Sequence, residues 1–184
     1  MRPHEPKRLS QPELLQYAVR ALQSRSLSVA ELRTKLHAQA QCPGYVDQVM
    51  ARLKQYGYVD DRRFAENFSR LRRENQGFGK YRVARDLRGR RVPPHLAEKA
   101  VKEAYLGTDE AALIQRFLRH KLRYIDQPPK LQDRREIASL YRMLMRAGFT
   151  SAKILDALRR MAAQPEWLEG LESEAEPPPA EVSD

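Results

Sequence analysis

Leu32-Arg33-Thr34-Lys35-Leu36-His37-Ala38-Gln39-Ala40-Gln41-Cys42-Pro43-Gly44-Tyr45-Val46-Asp47-Gln48-Val49-Met50 is the stretch on which the fold turns. Leu32 lies four residues before Leu36, and Val46, Val49 and Met50 lie ten, thirteen and fourteen after it. Steps of three and four place apolar side chains on one face of a helix, so the stretch reads as two amphipathic helices joined by a short turn. The same five apolar positions recur without a gap around Leu87 (Val83, Ala97, Ala100, Val101) and around Leu144 (Leu140, Ile154, Ala157, Leu158). The anchors are 51 and then 57 residues apart, and the extra length falls near Ile125–Lys130, around Pro128-Pro129. A further helix is expected in front of each pair. Each copy is expected to pack a small core of its own and to meet mainly its neighbours. The expected architecture is all-α: three tandem three-helix, helix-turn-helix-like repeats in an elongated, curved body.

Working outward, helices are expected near 12–24, 28–40, 45–56, 60–75, 80–90, 94–105, 109–124, 131–147 and 151–162. Ser28-Val29-Ala30-Glu31 has the form of a capping box, in which hydroxyl and carboxylate satisfy the first unpaired N–H groups of a helix. Asp60 and Asp61 precede the stripe Phe64, Phe68, Leu71 and read as N-caps in preference to a metal or acid/base pair. Pro93-Pro94 suits a first helical turn, and Gly57 and Gly148 stand where a left-handed residue would close a helix. The segments that follow are 1–11, disordered; 12–57, 58–106 and 107–162, the three repeats; and 163–184, an acidic disordered tail, with Trp167 and Leu168 placed to cap the last repeat.

Charge restricts the function. The 184 residues carry a formal net charge of +10, with 34 Lys and Arg against 24 Asp and Glu. From Ala163 onward there are seven acids and no base, so the body up to Ala162 holds 34 bases and 17 acids, a net of +17. Such an excess favours a polyanionic or acidic partner. The tail, of opposite sign, suits a DNA mimic that screens the body. A single cysteine, Cys42, excludes an internal disulfide, and the four scattered histidines lack metal-ligand spacing. No phosphate-cradling loop is complete: Gly77-Phe78-Gly79-Lys80 lies between helices, not after a strand. Neither a nucleophile elbow nor a ligand cluster appears, so no catalytic residue, metal or cofactor is expected and the chain reads as non-enzymatic. Without a signal core or a long apolar run, a cytoplasmic protein that does not engage membranes is expected.

The densest functional signal is Arg62 to Arg91, with eleven bases against three acids. Arg70, Arg72, Arg73, Lys80, Arg82, Arg85, Arg88, Arg90 and Arg91 form the candidate basic patch. With Val83 and Leu87 inward, Arg82, Arg85 and Arg88 are expected to point largely outward, where guanidinium forks grip phosphates or carboxylates. Phe78 and Tyr81 flank the patch; each suits stacking on a base or wedging into a protein groove, while Tyr81 equally suits closing the core.

These residues carry a family resemblance. Gly57-Tyr58-Val59-Asp60-Asp61-Arg62-Arg63-Phe64-Ala65, then Gly79-Lys80 and Val83 to Leu87, is similar to the central signature of RecX proteins. Ser28 to Leu36 resembles the opening of the first RecX repeat, and Met145-Arg146-Ala147-Gly148-Phe149 with Ile154 and Leu158 the close of the third. The likeness spans roughly Leu14 to Met161. It implies three tandem three-helix repeats and a monomeric regulator. Such a regulator binds RecA recombinase filaments on single- and double-stranded DNA, lodges in their groove, and lowers ATP hydrolysis, strand exchange and filament growth. The sequence departs from the family where glycine usually follows the second helix of a repeat: Ala40 and Arg91 stand there, and only Gly148 keeps the pattern. A stand-alone helix-turn-helix DNA-binding regulator is the alternative that the charge also allows.

Overall fold

The structure is a computed structural model that describes residues 8–123, 130–169 and 171. Among these, nine α-helices follow one another: α1 Gln11–Ser24, α2 Val29–Gln39, α3 Pro43–Gln55, α4 Asp61–Gln76, α5 Lys80–Gly89, α6 Pro94–Ala104, α7 Glu110–Leu122, α8 Arg134–Arg146 and α9 Ser151–Arg159. A 3-10 turn, Pro165–Leu168, comes after them. All nine lie within three residues of their expected ends. The chain is all-helical, and α1–α3, α4–α6 and α7–α9 are its three three-helix repeats.

Local chemistry sets the helix starts. The Ser28 hydroxyl accepts from Glu31 N–H at 3.1 Å, while Ser28 N–H donates to the Glu31 carboxylate at 3.1 Å. Asp60 Oδ1 accepts from Arg62 and Arg63 N–H at 2.8 and 3.2 Å, and Asp109 and Asp133 cap α7 and α8 in the same way. Three helices close with a left-handed residue followed by a backbone bond spanning six residues: Tyr58 N to Leu53 O after α3, Val92 N to Leu87 O after α5, and Phe149 N to Leu144 O after α8. The left-handed residues are Gly57 (φ 68°), Arg91 (φ 56°) and Gly148 (φ 87°). Ala40 takes the other course. It is extended at φ −69°, ψ 138°, and its turn pairs with Leu9.

Packing divides the chain into two units: residues 1–69 with 86–103, and residues 70–85 with 104–184. The middle repeat is therefore divided between the two units. The first unit is built on Leu14, Leu32, Leu36, Val46, Val49, Met50 and Leu53. The second is built on Ile114, Phe117, Leu118, Leu140, Leu144, Phe149, Ile154 and Leu158. Every repeat anchor is buried except Ala157, which is half-buried against the second core.

The ordered chain extends past both expected ends of the repeats. Leu9, placed by sequence in a disordered 1–11, donates its N–H to Gln39 O and accepts from Gln41 N–H at 2.8 and 2.9 Å. The Ser10 N–H and hydroxyl meet the Glu13 carboxylate. Within the expected tail, Leu168 and Leu171 are buried on the second core and Trp167 packs against it. Trp167 and Leu168 thus cap the last repeat as their sequence placement implied, and at the other edge contact keeps Leu9 in place where composition alone suggested disorder. The spacer around Pro128-Pro129 and the remainder of the acidic tail lie outside the described residues.

Candidate functional site

The candidate patch comes from α4, α5 and the loops after them, and its residues are held in different ways. In the second unit, the start of α5 lies directly on the α8–α9 turn. Gly79 N–H donates to Ala147 O at 2.8 Å and Tyr81 N–H to Gly148 O at 3.2 Å. The approach is possible only without side chains, since a Cβ on Gly79 would lie 2.1 Å from Gly148 O and one on Gly148 2.2 Å from Arg82 N. This contact brings the guanidinium groups of Arg82 and Arg85 to the Arg146 carbonyl at 3.3 and 3.1 Å. That carbonyl ends α8, where the helix dipole is negative and cations are favoured.

Arg82 therefore does not point freely outward. It lies over the Phe78 ring at 4.3 Å, with Arg72 5.8 Å from the same ring. Phe78 is half-buried and packs on the second core, its centroid 6.3 Å from that of Phe117. Tyr81 does not close the core, since it is 57% exposed, with Lys80 Nζ 5.1 Å from its centroid.

Three other nominated arginines are held internally. Arg70 pairs with Glu74 at 3.3 Å. Arg73 reaches the Ala104 carbonyl and pairs with Glu74 at 3.1 Å, and Arg116 donates to the Arg73 carbonyl. Arg90 meets Glu31 at 3.2 Å and lies over Phe64 and Phe68 at 5.8 and 5.0 Å, so it fastens the first unit. Its carbonyl accepts from the Ser28 hydroxyl at 2.7 Å. Arg91 extends to Thr34 Oγ1 at 3.4 Å. Asp61, expected to cap its own helix with Asp60, instead accepts the N–H of Val29 at 2.8 Å and so ties α4 to α2.

Burial pushes the Tyr105 phenol well above its ordinary range, against the pull of Arg73, and its hydroxyl donates to Phe78 O, just before α5, at 2.6 Å. Lys80, Arg85, Arg88 and Arg91 remain exposed and make no ion pair among the described residues. Arg146, also exposed, escaped sequence reasoning, because it is 61 and 64 residues from the arginines that meet its carbonyl. Among the described residues no group of three or more His, Cys, Asp or Glu is placed to hold a metal, and no helix is long and apolar enough to cross a membrane.

Residues 60–101, which span α4 to α6 and most of the patch, match the family model described as RecX, second three-helix domain. Regulatory protein RecX of Trichlorobacter lovleyi is 31% identical over 134 residues, covering 73% of this chain and 86% of the relative. That of Deinococcus radiodurans is 32% identical over 163 residues, covering 88% and 75%. The chain belongs to the RecX family. The crystal structure of RecX from Lactobacillus salivarius shares the fold, with a TM-score of 0.62 at 15% identity over 82% of this chain and 96% of that one. A second RecX crystal structure gives 0.60 at 20% identity over 80% and 71%. The resemblance read from Gly57–Ala65 and its flanking motifs is thus a family relationship that extends through most of the repeats.

Proposed function

We propose that this RecX-family protein binds RecA filaments assembled on DNA and lowers their ATP hydrolysis, strand exchange and growth, acting in the cytoplasm as a non-enzymatic regulator. The observation that carries the reading is membership in a family of regulatory proteins across most of the chain. The charge supports it. A net of +17 up to Ala162 suits a partner that offers phosphates and acidic side chains together. Exposed cations that make no ion pair among the described residues, Lys80, Arg85, Arg88 and Arg91, are those from which electrostatic attraction comes without breaking an existing pair of charges. Several weak charged contacts from different repeats act together, so attachment along neighbouring RecA subunits gains by effective concentration. Bridging of that kind resists the motions between subunits that hydrolysis requires.

The decisive measurement is RecA's single-stranded-DNA-dependent ATP hydrolysis, titrated with this protein at two salt concentrations. Hydrolysis is expected to fall at well below one molecule per RecA, and less at high salt. An unchanged rate alongside tight binding to bare DNA would favour the stand-alone DNA-binding regulator. For the patch, Lys80→Glu with Arg88→Glu is expected to weaken inhibition about tenfold or more while leaving helicity unchanged. Full inhibition by that variant removes these two cations from the interface.

A further inference from the structure

We propose that the turn between α3 and α4 is a stacking platform for the unpaired bases of single-stranded nucleic acid. Tyr56 and Tyr58 flank Gly57 there and are 62% and 60% exposed. Neither hydroxyl has a hydrogen-bond partner among the described residues. The turn itself closes through the backbone, with Gly57 N–H on Lys54 O at 3.0 Å and Tyr58 N–H on Leu53 O at 2.9 Å. In the two related turns, the residue after the left-handed one is Val92 or Phe149, 4% and 2% exposed, and covers the end of its helix. Tyr58 occupies that position yet is open to solvent, while its neighbour Val59, 6% exposed, takes the burial. Capping and core packing therefore leave both rings unexplained.

The charges around the rings indicate the ligand. The Arg52 guanidinium lies 5.9 Å from the Tyr56 centroid. Lys54 and Arg63 are exposed and, like Arg52, make no ion pair among the described residues. The nearby acids are engaged: Asp60 caps α4 and Glu66 pairs with Arg62 at 2.9 Å. Exposed π-faces among cations of one sign suit bases with their phosphates, because stacking accepts any base and the cations meet the backbone. A duplex keeps its base faces inside the stack, so the ligand is single-stranded.

The platform shares with the proposed function the expectation of nucleic acid nearby, but it does not depend on RecA. The test is anisotropy of a labelled thymidine oligonucleotide, against an abasic strand of equal length, with the full chain. Preference for the base-bearing strand is expected at about thirtyfold, the low end for two stacked bases. Tyr56→Ala with Tyr58→Ala is expected to erase the preference and leave the salt dependence in place, whereas Tyr56→Phe with Tyr58→Phe keeps it. Equal affinity of the parent for both strands overturns the platform, as does a preference that survives the double alanine change. RecA hydrolysis is measured on the same variants. Loss of inhibition with base preference intact makes this face a protein-docking surface and overturns the platform. Base preference in a parent that does not affect RecA upholds the platform and overturns the proposed function alone.

Discussion

The protein makes the same kind of joint twice, by different means. In each, the start of a repeat's second helix meets the turn after the second helix of the following repeat: Ser28 with Arg90, and Gly79 with Ala147. The partners correspond under the repeat spacings of 51 and 57 residues. The first joint uses a side chain, the Ser28 hydroxyl on the Arg90 carbonyl, and its turn holds Arg91 in a left-handed conformation. The second uses backbone alone, Gly79 N–H on Ala147 O, with Gly79 and Gly148 nearly in contact. A joint made through a side chain leaves room between chains and tolerates non-glycine residues. A joint made through backbone requires both glycines.

The largest expected effect breaks the second joint. Gly148→Ala adds a Cβ 2.2 Å from Arg82 N at φ 87°, so overlap and backbone strain act together. A loss of about 3 kcal/mol is expected in a denaturant titration, and a variant as stable as the parent would mean that the two glycines do not pack this way. The corresponding change at the first joint, Ser28→Ala, removes an N-cap and leaves the Arg90 carbonyl without its donor. About 1.5 kcal/mol is expected there, measured by the same titration. If it equals or exceeds the glycine variant, the contrast between the joints fails.

Tyr105 sharpens the comparison, because its hydroxyl holds the Phe78 carbonyl just before Gly79. Tyr105→Phe is expected to lower stability by about 1 kcal/mol near neutral pH. The raised phenol pKa gives the sign with pH. The contribution is complete below the ordinary phenol range near pH 10 and is lost as pH rises past it, because the unfolded chain deprotonates first. The gap between parent and variant should therefore narrow in alkali, and a gap that widens would place the hydroxyl elsewhere. The smallest effect is a gain. Arg91→Gly relieves a left-handed residue at φ 56° and gives up only a 3.4 Å contact to Thr34, so thermal melting is expected to show up to about 1 kcal/mol of added stability.

The helices were legible because their causes are local. Ser28 with Glu31 and Asp60 ahead of Arg62-Arg63 cap within three residues. The candidate patch was only partly legible. Charge density picked out α4 and α5, but Arg90 is taken up by Glu31, 59 residues away, and Arg73 by Ala104, 31 residues away. Arg146 carries no local mark of its place beside Arg82 and Arg85. The departures at Ala40 and Arg91 were visible as missing glycines, yet which turn would become left-handed was not. Ala40 stays extended because Leu9 bonds on either side of it, and Arg91 turns left-handed where the backbone closes back on Leu87.

By itself the sequence determined the all-helical class, the number and phase of the repeats, and the basic excess, since each follows from spacing and composition along the chain. Tertiary structure alone decided how the middle repeat is shared between two units, which cations remain unpaired, and why one joint needs two glycines. Those depend on groups far apart in the chain meeting within a few ångströms, and no local pattern encodes that meeting.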